Sequence, residues 1–269
     1  MHILITNDDG IQAAGLKALG TAVLERGHRL TVCAPATQQS AASQHLTIDK
    51  PLLTREIPWE GAEAWAVEGT PADCVRIGLR LAENRMGPAE QPGAGTPVDF
   101  VLSGINNGWN AGTAVYYSGT FSAAREAAMA HRRAMAVSID VGATEEMLAH
   151  TARTAVALAE ELASEQFPKA AVLNLNVPAL PPAQLKELKI APLSDAFFLD
   201  EYEKRESPRR VTYFWLSDGL QMEPHAPGTD LDLLEKGHAT LSIVTGFRDE
   251  TDWLEEKHLE KSDERRRQK

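Results

Sequence analysis

The chain has 269 residues, 43% of them hydrophobic, which is enough for one large domain with a substantial core and excludes global disorder. Its 27 basic and 38 acidic residues leave a net charge of −11, which argues against a general polyanion surface and so against duplex nucleic acid as a partner. A small phosphate compound stays open, because a cation and backbone amides can hold one without a basic surface.

Residues 3–6 read as a short apolar strand that stops at two adjacent carboxylates, Asp8 and Asp9, followed by Gly10. Asn-Asp-Asp-Gly is good turn chemistry, yet two neighbouring carboxylates repel unless one is protonated or a cation lies between them. Leu16, Leu19, Val23 and Leu24 then recur at helical spacing, with Gly27 as the stop. A second strand is expected over 30–34, two short strand-like pieces over 45–48 and 64–67, and a weaker one over 52–54. Thr70-Pro71-Ala72-Asp73 is a helix start, with Thr70 as N-cap, Pro71 in the first turn and Asp73 near the positive end. Residues 87–97 form a Gly/Pro-rich loop whose Gly-Ala-Gly lacks the context of a dinucleotide fingerprint. Strands over 99–104, 135–139 and 171–177 alternate with helices over 122–131 and 144–166. This β-α-β order predicts an α/β fold with a doubly wound, mostly parallel sheet.

After Pro178 the pattern changes. Residues 195–210 are polar and irregular, 211–216 (VTYFWL) are strongly β-prone, a short helix starts at 228–230, and a last strand covers 239–244. The expected organisation is a core over 1–180, an arm and return to the core over 181–246, and a charged tail over 247–269 that is a frayed helix or disordered. The first residues enter a strand without a basic region or cleavage site, and no apolar stretch approaches the ~18 residues of a membrane span. Cys33 and Cys74 lie in apolar stretches and read as reduced core residues. A soluble, cytoplasmic protein with no membrane partner is expected.

Ligands of open α/β sheets bind outside the carboxyl ends of the strands, near a topological switch point. Three polar segments fall at such ends: Asn7 to Gly10, Thr37 to Ser43, and Ser103 to Asn110. Their carboxylates, hydroxyls and amide oxygens suit a hard ion, Mg²⁺ or Mn²⁺, rather than zinc, and none of the eight histidines forms an i,i+3 or i,i+4 pair. Ser40, Ser43 and Asn106 could equally be turn and loop residues. Tyr117-Ser118-Gly119-Thr120 precedes a helix and reads either as an ordinary cap or as a phosphate cradle.

Taken in order, NDDG, Ser40 with Ser43, EGTPADC (68–74), SGIN-x-G-x-N (103–110) and SGT (118–120) resemble the SurE family, survival proteins that act as nucleoside-monophosphate phosphatases. NLNVP (174–178), YFWL (213–216) and GTD (228–230) extend the resemblance over roughly 1–246. It implies one divalent cation per subunit, Mg²⁺ or Mn²⁺, held by Asp8, Asp9, Ser40 and Asn106, with Asp8 and Asp9 as the catalytic pair. It implies substrate contacts from Asn7, Ser43, Asn110, Ser118, Gly119 and Thr120, and hydrolysis of nucleoside 5′-monophosphates, with 3′-monophosphates and short polyphosphate as further substrates. The family's fold is a Rossmann-like core with a protruding C-terminal β arm, assembled as a homodimer or homotetramer. Ala14, Ala41, Thr113-Ala114 and Glu126-Ala127 depart from the family pattern, but none of them removes an implied ligand. The Asp pair is expected in a solvent-exposed loop. Two rival readings fit the residues less well. An amide hydrolase with an Asp-Asp pair needs a histidine just upstream and a later histidine pair, and both are missing; a non-catalytic nucleotide sensor would have lost a ligand, and none is lost.

Overall fold

The computed structural model describes residues 1–83, 95–199, 201–218 and 223–245. Eleven strands and five helices occur among them: β1 (His2–Thr6), α1 (Ala14–Glu25), β2 (Arg29–Pro35), β3 (Thr54–Glu56), β4 (Glu63–Val67), α2 (Pro71–Ala82), β5 (Phe100–Asn107), α3 (Gly119–Met129), β6 (Arg133–Ile139), α4 (Glu145–Glu161), β7 (Ala171–Val177), β8 (Lys186–Ile190), β9 (Glu201–Glu206), β10 (Thr212–Asp218), α5 (Asp230–Glu235) and β11 (His238–Thr245). Nine strands form one sheet in the order β3-β4-β2-β1-β5-β6-β7-β11-β8, and β9 and β10 make a separate antiparallel hairpin. From β4 to β7 every pairing is parallel; β3 on β4 and β11 on β7 are antiparallel. The α/β class and the doubly wound, mostly parallel sheet with a β arm are therefore as the sequence led us to expect.

The central strands are apolar throughout because both faces are covered. One face meets α1 and α4 through Ile3, Ile5, Leu16, Leu102 and Val156. The other meets α2 and α3 through Leu4, Cys33, Cys74, Val101 and Phe121. Cys33 and Cys74 are free and fully buried. The alanines of α3 (Ala123, Ala124, Ala127) are all at 0% exposure, so this helix lies close on the sheet. The chain passes from β1 to β2 on one side and returns to β5 on the other. The switch point is thus the crevice beyond the carboxyl ends of β1 and β5.

Several expected elements shift, each for a local reason. The piece over 45–48 is not a strand: Thr70 Oγ1 donates to His45 O (2.6 Å), and the Thr47 amide donates to Asp73 Oδ1 (3.1 Å), so helix-start side chains take the backbone groups a sheet would have used. The weak piece over 52–54 is found at Thr54–Glu56. β5 runs three residues past 104, carrying Asn106 and Asn107 on the strand end rather than in a loop. α3 begins at Gly119 instead of 122, because Ser118 caps it. α4 ends at Glu161, before the turn that Pro168 helps set ahead of β7. β8 was not foreseen, and β9 lies inside the stretch read as irregular. Residues 186–190 are therefore back in the sheet, and the arm is the hairpin between β8 and α5. Most of the Gly/Pro loop and the whole charged tail lie outside the described residues. Among those described, no helix is long and apolar enough to cross a membrane.

Candidate active site

The turn after β1 is built by its own side chains. Asn7 is fully buried; its Nδ2 donates to Gly10 O (3.0 Å) and its Oδ1 accepts from Gly10 N (3.2 Å). Gly10 sits at φ +97°, where a side chain would be strained, and the turn places Asp8 and Asp9 at the crevice. Asn7 was expected to touch substrate. With no exposed surface and both ends of its amide closed on Gly10, it instead shapes the loop from beneath.

Asp8 is also more enclosed than expected, at 6% exposure rather than in an open loop. Thr120 Oγ1 donates to Asp8 Oδ1, and Gly119 packs so closely that an added Cβ would lie 2.9 Å from Asp8 Cβ. The N-terminus of α3 thus faces this carboxylate, and its dipole favours negative charge there. Burial nevertheless pushes the Asp8 carboxyl up to about 6; the Thr120 hydroxyl opposes the rise and the Asp9 charge adds to it. Asp9 is raised too, by burial, although Gln38 Nε2 (3.3 Å) and the Asn107 amide (3.4 Å) donate to it.

The other two segments close around this pair. The Gln39 amide donates to Asp8 O (2.7 Å), which brings the Ser40 loop onto the turn. Ser40 is exposed on that loop, and Ala41 takes φ +53°, a left-handed conformation that favours glycine over a residue with a side chain. Asn106 Nδ2 donates to Gly108 O (2.8 Å), leaving its Oδ1 as the end a hard cation takes. Among the described residues no group of three or more His, Cys, Asp or Glu could hold a metal. Two carboxylates, the Ser40 hydroxyl and the Asn106 amide oxygen make an all-oxygen donor set, the chemistry that suits Mg²⁺ or Mn²⁺.

The SGT segment departs from the expected phosphate cradle in part. Ser118 is the N-cap of α3, its Oγ accepting from the Phe121 amide (2.9 Å). Thr120 is at 0% exposure with its hydroxyl on Asp8, so it holds that carboxylate rather than facing the crevice. Ser43 Oγ donates to Tyr116 O (2.8 Å), and Asn110 is buried with Nδ2 donating to Ser138 Oγ (2.9 Å). Four contributors were not singled out by the sequence. Gln38 and Gln39 bracket the Asp pair, while Asn174 Nδ2 (2.8 Å) and Asn176 Nδ2 (3.3 Å) both donate to Asn110 O. Asn174 and Asn176 did leave a signal: two amides at i,i+2 in an otherwise apolar strand. Asp230 of the GTD segment accepts from the Gly112 and Ser194 amides, each at 2.8 Å, fastening the turn that leads to Ser118.

A family model described as Survival protein SurE matches residues 3–199. The 5′-nucleotidase SurE of Nitratidesulfovibrio vulgaris (strain DP4) is 41% identical over 243 residues, 90% of this chain and 92% of that protein. That of Maridesulfovibrio salexigens is 40% identical over 242 residues, again 90% and 92%. Among solved structures, the SurE protein from Aquifex aeolicus superposes with a TM-score of 0.77 at 28% identity, covering 97% of this chain and 100% of that one.

Proposed function

The chain belongs to the SurE family, and from that premise we propose that it is a 5′-nucleotidase, a phosphatase acting on nucleoside monophosphates. The reading extends to dependence on one divalent cation per subunit, to nucleoside 3′-monophosphates and short polyphosphate as further substrates, and to a cytoplasmic homodimer or homotetramer. The observation that supports it most is the adjacent Asp8 and Asp9 at the switch-point crevice, held by the Thr120 hydroxyl, the Gln38 side chain and the Asn107 amide and faced by the α3 N-terminus.

Asp8, Asp9, Ser40 and Asn106 would hold the cation. When bound, such a cation supplies Lewis acidity toward the phosphoryl oxygens and acidifies water. In the reaction, water attacks phosphorus, the ester P–O bond breaks, and the departing sugar oxygen takes a proton. The chain's own residues orient and balance charge. Thr120 fixes Asp8, Gln38 and Asn107 fix Asp9, and one of the two carboxylates accepts the proton of the attacking water. Ser118 and Gly119 form the α3 N-terminus, where backbone amides favour a phosphate, and Asn110 would complete the phosphate pocket.

The test is a panel of nucleoside 5′- and 3′-monophosphates and polyphosphate, assayed with Mg²⁺, Mn²⁺ or EDTA. Release of phosphate from nucleotides that EDTA silences and either ion restores is the expected result. Full turnover in EDTA, or turnover of an aryl phosphate with none of any nucleotide, would overturn the reading.

A further inference from the structure

The EGTPADC segment, read at first as a helix start, does more than start α2. Thr70 and Asp73 form the expected reciprocal cap: the Asp73 amide donates to Thr70 Oγ1 (3.2 Å) and the Thr70 amide to Asp73 Oδ2 (3.0 Å). Capping needs nothing further. Yet Asp73, at 2% exposure, also accepts from Thr47 Oγ1 (2.7 Å) and the Thr47 amide (3.1 Å), and Thr70 Oγ1 donates to His45 O (2.6 Å). These bonds all reach the loop that carries Ser40 and Ser43.

A second carboxylate does the same from α3. Glu126 is at 4% exposure, and its Oε1 accepts from Arg76 Nε (2.5 Å), whose own side chain is 57% exposed. An ion pair with an exposed arginine does not require a buried carboxylate, and burying one is costly unless all its oxygens are used. Here the other oxygen, Oε2, accepts from Gln44 Nε2 (2.9 Å). The stretch just ahead of these ties is strained: Ala41 (φ +53°) and Ser43 (φ +48°) both take left-handed conformations. Such backbone persists only where the surroundings over-determine it.

We propose that Asp73 and Glu126 are positioning residues that hold the 40–47 loop in its strained form, so that Ser40 is presented to the cation beside Asp8 and Asp9. This rests on the metal-site reading given above. The two carboxylates act through Thr47 and Gln44 and touch neither cation nor substrate.

The test removes the side-chain ties of Gln44 and Thr47 and leaves Asp73, Glu126, Arg76, the α2 cap and the loop's backbone bonds in place. Wild type, Gln44→Leu/Thr47→Val and the conservative Thr47→Ser are compared by Mn²⁺ calorimetry without substrate, and by amide exchange over 40–47 in EDTA. The double variant should bind Mn²⁺ about 10–100-fold more weakly, the range for residues that orient metal ligands. It should also exchange these amides faster, while its melting temperature and the exchange of the central strands stay near wild type. Thr47→Ser should keep wild-type affinity. A wild type that binds no Mn²⁺ would remove the metal-site reading and this inference with it. A wild type that binds, beside a double variant of equal affinity and equal exchange, would overturn the positioning role alone. If the double variant does not fold, Thr47→Val set against Thr47→Ser carries the same comparison.

Discussion

At the scale of single residues, burial holds the Asp8 carboxyl up at about 6, so at neutral pH it is ionised at a cost to the fold that the unfolded chain does not bear. The native state then binds more protons than the unfolded chain between about 6 and the ordinary 3.8, and the stability this group contributes grows as pH falls through that window. Asp8→Asn removes the charge and keeps an acceptor for Thr120. In EDTA at pH 7.5 the variant should melt at or above the wild-type temperature, with the gap closing as pH is lowered to about 5. With Mn²⁺ its turnover should fall by more than about 10²-fold, the scale of losing one preorganised electrostatic contact. Thermal melts and a phosphate-release assay check the two halves. Wild-type turnover at low Mn²⁺, or a variant melting well below wild type in EDTA, would refute the assignment. The adjacent aspartates were legible because adjacency itself is costly. Asn7 and Thr120 were misplaced because a sequence shows which side chains lie near a site, not which of them turn inward to support it.

At the scale of elements, α3 combines two functions at one end. Ser118 caps it, and replacing a Ser cap costs about 0.5–2 kcal/mol. Ser118→Ala should therefore lower the melting temperature whatever else the residue does. Under the proposed phosphate role it should also slow every nucleotide substrate by a similar factor, because the phosphate is common to all. Lost stability with unchanged kcat/KM across the panel would leave it a cap only. The elements that were legible had local causes: Thr70-Pro71-Ala72-Asp73 fixed the start of α2 to the residue, and the run Ala171–Val177 is β7. The elements that were misread depend on distant partners. Residues 45–48 have strand-like residues but lose their backbone groups to α2 side chains, and charged β8 is a strand only because β11 arrives beside it.

At the scale of the whole molecule, the β9–β10 hairpin stands apart from the main sheet, and Tyr202, Tyr213, Phe214 and Trp215 on it are all exposed. A two-stranded ribbon is marginal alone in water, and an exposed edge of this character invites pairing. The proposed dimer or tetramer covers it, with closed two-fold symmetry. Light scattering should thus find an oligomer at micromolar concentration, and Phe214→Glu/Trp215→Glu should shift it toward smaller or aggregating species. A wild-type monomer under those conditions would refute the arm's role. The sheet order carries one more consequence, for the sequence of events in synthesis. β11, the last described strand, lies between β7 and β8, both of which precede it in the chain. Domains fold largely as their segments emerge, yet here a ribosome releases both neighbours, and the whole hairpin, before the strand that joins them exists. Until residue 245 is made, β7 has a bare edge beside the finished core and β8 has no neighbour at all. A nascent chain of this protein should accordingly stay sensitive to protease near β8, and stay a client for chaperones, until β11 is complete.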